Sequence, residues 1–167
     1  SLVGSEMCIR DSIYVELEGG GDGLSPLTVL DTSGDYLADR IYAGDLDGQI
    51  WVSSNVSGSW GSAYANPLFT ASGPVTGAVA VGANKATPRA TNLPNLMVYF
   101  GTGKYLETAD TTDTTTQAFY GVWDRGDSNL GTANLQQRTL MEEEREVDGE
   151  TKTIRVSDGD PVDYTTQ

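Results

Sequence analysis

Histidine is absent from the chain, and cysteine occurs once, at Cys8. Those two shortages exclude histidine-based triads, Cys-His nucleophiles and the usual zinc ligand sets. Long apolar runs are missing as well. The longest is the five residues 96–100, far below the roughly 20 that a membrane-crossing helix needs. Basic residues are scarce, 10 Lys and Arg against 24 Asp and Glu, giving a formal charge of −14 and a pI near 4.1. That balance argues against a nucleic-acid partner, whose phosphates are bound by neutralising cations. No charged, then apolar, then small-residue leader is visible at the start. What the chain does have is 20 Gly and 6 Pro among 167 residues with 38% hydrophobic content, the make-up of a turn-rich β protein.

The opening SLVGSEMCIRDS resembles a translated sequencing-adapter tail, so residues 1–12, Cys8 included, are set apart from fold reasoning. From residue 13 on, short β-prone runs alternate with clusters of Gly, Asp, Asn, Ser and Thr. Residues 27–30 precede an acidic stretch at 31–39. Residues 40–44 and 49–53 flank Asp47-Gly48, and residues 146–147 and 151–156 flank Asp148-Gly149. Asp-Gly between two such runs predicts a hairpin, because glycine accepts the positive φ that tight turns require. Residues 75–81, 96–100 and 118–123 predict further strands, residues 108–116 a solvated loop, and residues 133–144 are the single stretch that could be helical. A weak echo aligns Ile41-Tyr42-Ala43-Gly44 with Val98-Tyr99-Phe100-Gly101, and Phe119 to Trp123 offers a third aromatic-Gly strand. Repeated short strands marked by aromatics and glycine point to propeller blades, with a β-sandwich as the alternative. The expected fold is therefore all-β, a partial β-propeller. Residues 13–167 are expected to form one domain that is a slice of a larger one, truncated at both ends.

The sharpest chemistry lies in residues 31–39. Oxygen side chains recur at loop positions 1, 3, 5 and 9 (Asp31, Ser33, Asp35, Asp39), and Leu37 at position 7 can offer its carbonyl. That spacing suits one hard cation, since Ca²⁺ takes six to eight oxygen ligands. The loop departs from the usual pattern at position 6, where Tyr36 replaces glycine, and at position 12, where Tyr42 replaces glutamate. The alternative is an acidic turn held by its own side-chain-to-backbone bonds. A second candidate contact is Arg125-Gly126-Asp127, which on an exposed tip could reach a host receptor, or else is a plain turn. Trp51, Trp60 and Trp123 suit blade packing. The tail from residue 141 carries nine acids against three bases, the composition of a solvated face.

Taken together, the Gly23-Leu24-Ser25-Pro26 run, the acidic loop and Asp39 to Trp51 resemble the C-terminal domain of PilY-type proteins. So do Pro67 to Ala71, Pro74 to Thr76, Met97 to Glu107, Gln117 to Asp124, and Asp160-Pro161-Val162-Asp163-Tyr164. These are type IV pilus biogenesis factors and tip-associated adhesins, also called the PilC/PilY group. The resemblance implies a modified, quinoprotein-like propeller at the bacterial cell surface or pilus, exported, non-enzymatic, and acting with pilin or minor pilins in pilus extension and retraction. It also implies Ca²⁺ at Asp31, Ser33, Asp35, Asp39 and the Leu37 carbonyl. Two rivals carry different predictions. Ala43 to Trp51 is similar to the tryptophan-docking repeat of quinoprotein dehydrogenases, which would make the chain a calcium-dependent pyrroloquinoline quinone enzyme. An integrin-type calcium repeat would instead require several tandem acidic loops, and one is present.

Overall fold

The computed structural model describes residues 15–17, 22–84, 94–159 and 162. The adapter-like opening with Cys8, and Asp160, Pro161, Asp163 and Tyr164, lie outside them. The described residues form eleven strands in three open sheets, so the all-β expectation holds.

The first sheet is built on three antiparallel strands, β1 (Thr28–Leu30), β2 (Arg40–Gly44) and β3 (Gln49–Val56). The long β3 then serves two partners. Its far half pairs with β4 (Ser59–Ser62), while its first residues pair with β5 (Phe69–Thr70). The second sheet is the meander β6 (Ala80–Ala83), β7 (Leu96–Gly101) and β8 (Phe119–Asp124). The chain next returns to the first sheet, where β9 (Leu130–Gly131) runs parallel to β5. The third sheet is a lone hairpin, β10 (Leu140–Val147) with β11 (Glu150–Ser157), eight residue pairs long.

Alternation decides what is buried, because successive strand residues face opposite sides. Tyr42, Ile50, Val52 and Phe69 from the first sheet join Val98, Phe100, Tyr120 and Val122 from the second in one core, together with Leu68, Val75 and Val79. The rings of Phe69, Phe100 and Tyr120 lie 5.2–5.8 Å apart, centre to centre, in tilted and edge arrangements. This face-to-face stacking of two small, largely antiparallel sheets is how neighbouring propeller blades bury their apolar sides.

Three sequence expectations change in detail. Strand character at residues 75–81 is split: Val75 makes an isolated bridge to Gly103, and regular pairing begins only at Ala80. The stretch 133–144 is not helical. A single 3-10 turn at Thr132–Asn134 is followed by β10, because the apolar residues there lack helical spacing while the cross-strand pairing runs unbroken. The 41–44 and 98–101 echo falls on the central strand of each triplet, yet it is out of phase. Tyr42 is fully buried, whereas Tyr99, its aligned counterpart, faces outward over Gly121, and Phe100 takes the inward place.

Candidate functional site

Two arrangements carry chemistry, and they are joined by one peptide bond. The first is the acidic loop between β1 and β2. Asp39 Oδ2 accepts from the Thr32 amide (2.8 Å), the Thr32 hydroxyl (2.9 Å) and the Ser33 amide (2.8 Å). Asp31 accepts from the Ser33 hydroxyl (3.3 Å), the Gly34 amide (2.6 Å) and the Tyr36 amide (2.7 Å). Ser33 thus ties the two ends of the loop together. Among the described residues Asp35 accepts only from the Leu37 amide, at 2.9 Å. These amide bonds hold the Asp31 and Asp39 carboxyls below their ordinary range, so both are ionised at neutral pH.

Tyr36 shows how the loop manages without glycine at its sixth position. Its φ is +69°, the left-handed conformation that glycine would supply, and its side chain stands 97% exposed. Of the predicted shell, the structure brings Asp31, Ser33 and Asp39 together and turns Asp35 towards Leu37. Among the described residues no three acidic side chains approach closely enough to enclose an ion. The donor set nevertheless fits calcium in kind. It is all oxygen and exposed, with Asp31 and Asp39 ionised, and among the described residues Asp39 Oδ1 and Asp35 Oδ2 accept no hydrogen bond, which leaves them lone pairs for a cation.

The second arrangement was not legible in motif terms. Arg40 on β2 points inward and meets Asp124 at the end of β8, Nη2 to Oδ2 2.6 Å, with Asp124 wholly buried. The hydroxyls of Tyr42 and Tyr64 each donate to Asp124 at 2.5 Å and accept from the guanidinium at 2.7 and 2.8 Å. Arg40 also lies over both tyrosine rings. Burial opposes the guanidinium charge, but the Asp124 carboxylate and the two phenols outweigh it and raise the Arg40 pKa. Burial, then the Asp124 carboxylate, pushes Tyr42 far above the ordinary phenol range. For Tyr64 burial again leads, followed by its bond to Asp124. This network pins the first sheet to the second. The signal that could have found it is phase: Asp124 continues the inward-facing series Tyr120, Val122, and a carboxylate there requires a cation.

The turn after β2 explains the tryptophan-docking likeness structurally. Asp45, wholly buried, accepts from the Trp51 indole N–H (2.7 Å) and from the Asp47 and Gln49 amides (3.0 and 2.8 Å). Gly48 follows at φ +79°, and a Cβ there would meet the Gly73 carbonyl oxygen at 2.5 Å. Both carboxylate oxygens of Asp45 are therefore engaged in holding the hairpin. Arg125 and Asp127 are turned on one another, Nε to Oδ2 2.8 Å, and Arg125 stacks on Trp123. A receptor contact through this tripeptide requires that pair to open. Among the described residues no helix is long and apolar enough to cross a membrane.

Short, largely antiparallel sheets stacked face to face, with a buried Asp docking a Trp across a glycine turn, define an open segment of a propeller-type β protein. The chain belongs to the PilY1 beta-propeller domain family, which matches residues 4–157. It is 31% identical to a type IV pilus biogenesis factor PilY1 homolog of Xylella fastidiosa, over 81% of this chain and 10% of that protein. To the type IV pilus biogenesis factor PilY1 of Pseudomonas aeruginosa PAO1 it is also 31% identical, over 87% of this chain and 15% of that protein. Its fold matches the crystal structure of the Pseudomonas aeruginosa PilY1 C-terminal domain with a TM-score of 0.66 and 27% identity, covering 87% of this chain and 37% of that one. The chain thus spans a small part of the relatives that it matches.

Proposed function

We propose that this chain is a calcium-responsive, non-enzymatic propeller segment of a type IV pilus biogenesis factor, exported to the bacterial cell surface or pilus, where it works with pilin or minor pilins in pilus extension and retraction. The observation that carries the calcium reading is the junction at Ser33, where the ionised Asp31 and Asp39 carboxylates converge from opposite ends of a nine-residue loop. Calcium, when bound, supplies the positive charge that relieves repulsion among Asp31, Asp35 and Asp39. The chain's own part is to hold the loop closed: Asp39 grips the Thr32 and Ser33 amides, Asp31 grips those of Gly34 and Tyr36, and Tyr36 makes the sharp turn. The kinship with type IV pilus biogenesis factors supports the pilus part of the reading. The non-enzymatic part rests on Asp45, the acid of the quinoprotein-like motif, being wholly buried and hydrogen-bonded through both oxygens.

The test is a calcium titration of the full chain by calorimetry and thermal melting, with Asp39→Ala as the control. A single saturable site that raises the melting temperature and disappears in the variant is the expected result, since binding to the folded state alone stabilises it by mass action. A folded protein that ignores millimolar calcium would reduce the loop to an acidic turn.

A further inference from the structure

Asp39 and Arg40 are consecutive, yet they serve different parts of the molecule. The Asp39 backbone is clamped on both sides, its amide donating to the Leu30 carbonyl and its carbonyl accepting from the Asn55 amide, both at 2.8 Å. Its side chain closes the acidic loop on Thr32 and Ser33. One residue on, the Arg40 side chain reaches inward to Asp124, 84 positions away in sequence, with Tyr64 bridging the pair. An open cavity of about 380 Å³ lies between the two arrangements, lined by Thr32, Asp39, Arg40, Asn55, Tyr64 and Gly126. It gives the guanidinium room to swing out if the pair is broken.

We propose that the Arg40–Asp124 pair is a latch set together with the acidic loop, so that the loop and the end of β8 open and close as one unit. Only two soft backbone torsions separate the Asp39 and Arg40 α-carbons. A guanidinium released from Asp124 leaves its buried place for water, because an unpaired buried charge is costly, and its departure turns the Asp39 peptide out of its clamp. The reverse follows by linkage: whatever tightens Asp39 seats Arg40. This deepens the calcium reading, which would make the latch ion-dependent, but its supports are the protein's own bonds.

Amide hydrogen exchange on the full chain tests it. In Tyr64→Phe, which removes one hydroxyl from the network without stranding a charge, the Asp39 and Asn55 amides should exchange on the order of tenfold faster. The mid-strand amides of β3 and β7 should keep their wild-type rates. In Asp39→Asn the amides at the end of β8 should speed up in turn. Wild-type rates at Asp39 and Asn55 in Tyr64→Phe would overturn the latch, and so would a uniform rise across the core. Calcium separates the two readings. Ion binding that leaves β8 exchange unchanged sinks the coupling alone. An absence of binding, with the variant effects intact, supports the latch and sinks the calcium reading.

Discussion

Two hairpins in this molecule turn on Asp-Gly, and they have opposite fates. The β2–β3 turn is closed by the Gly48 amide on the Asp45 carbonyl, and its strands are buried on the core side. The β10–β11 turn places Asp148 at φ +56° and Gly149 at +77°, the two-residue form in which both central residues are left-handed. Its pairing is longer and more regular, yet every β10 residue is exposed and only Ile154 and Val156 of β11 are half-buried. Local turn chemistry is thus enough to direct a hairpin but not to make it part of a core. Burial comes from what the strands meet: Asp45 with Trp51 and Gly48 against Gly73 on one side, and water on the other.

Breaking the latch should cost most. Asp124→Ala takes away the buried partner of Arg40, so the guanidinium must either stay unpaired or abandon its packing for water, an expected loss of about 3–5 kcal/mol in chemical denaturation. Raising the pH should attack the same place. Tyr42 and Tyr64 have folded pKa values above the ordinary phenol value, so their contribution is complete below about pH 10 and falls as the pH climbs beyond it. A stability profile by urea unfolding should therefore drop on the alkaline side, and Tyr64→Phe should blunt the drop. At the opposite end, Asp31 and Asp39 have lowered values, so loop closure should hold down through the ordinary carboxylate range and fail below about pH 4. Chemical shifts of the Thr32 and Ser33 amides would follow it.

The two glycines sharpen the comparison directly. Gly48→Ala combines a left-handed backbone with a collision against the Gly73 carbonyl and should cost about 2–3 kcal/mol by thermal melting. Gly149→Ala has the same φ but open space around it, so about 1 kcal/mol is expected, felt only in the hairpin. The smallest effect belongs to the exposed Arg145–Glu143 pair, 2.7 Å apart, where Glu143→Gln should leave the melting temperature unmoved.

The strands β1 to β3, β7, β8 and β11 and both Asp-Gly turns were readable because they are written in neighbouring residues, whereas β4, β5, β9 and most of β10 were not. The loop carboxylates were readable too, although the gathering of Asp31, Ser33 and Asp39 without Asp35 depends on backbone torsions that spacing does not encode. The Arg40–Asp124 contact joins residues 84 apart, and its partner Tyr64 sits in a loop with no periodicity to fix its direction. Facing was harder still. The echo that equated Tyr42 with Tyr99 identified the right strands in the wrong phase, since a shift of one residue exchanges core for surface.

The parallel contact of Phe69-Thr70 with Leu130-Gly131 has a consequence in time. The first sheet takes its last strand from beyond the second, so a chain emerging from its N-terminus cannot finish one sheet before beginning the next. About sixty residues must be delivered while β5 waits, and Asp124, which Arg40 needs, arrives only near the end of that interval. Contacts so distant in sequence make for slow, all-or-none folding rather than assembly sheet by sheet. Until that last strand arrives, the partly delivered chain is the state most in need of protection from aggregation and proteolysis.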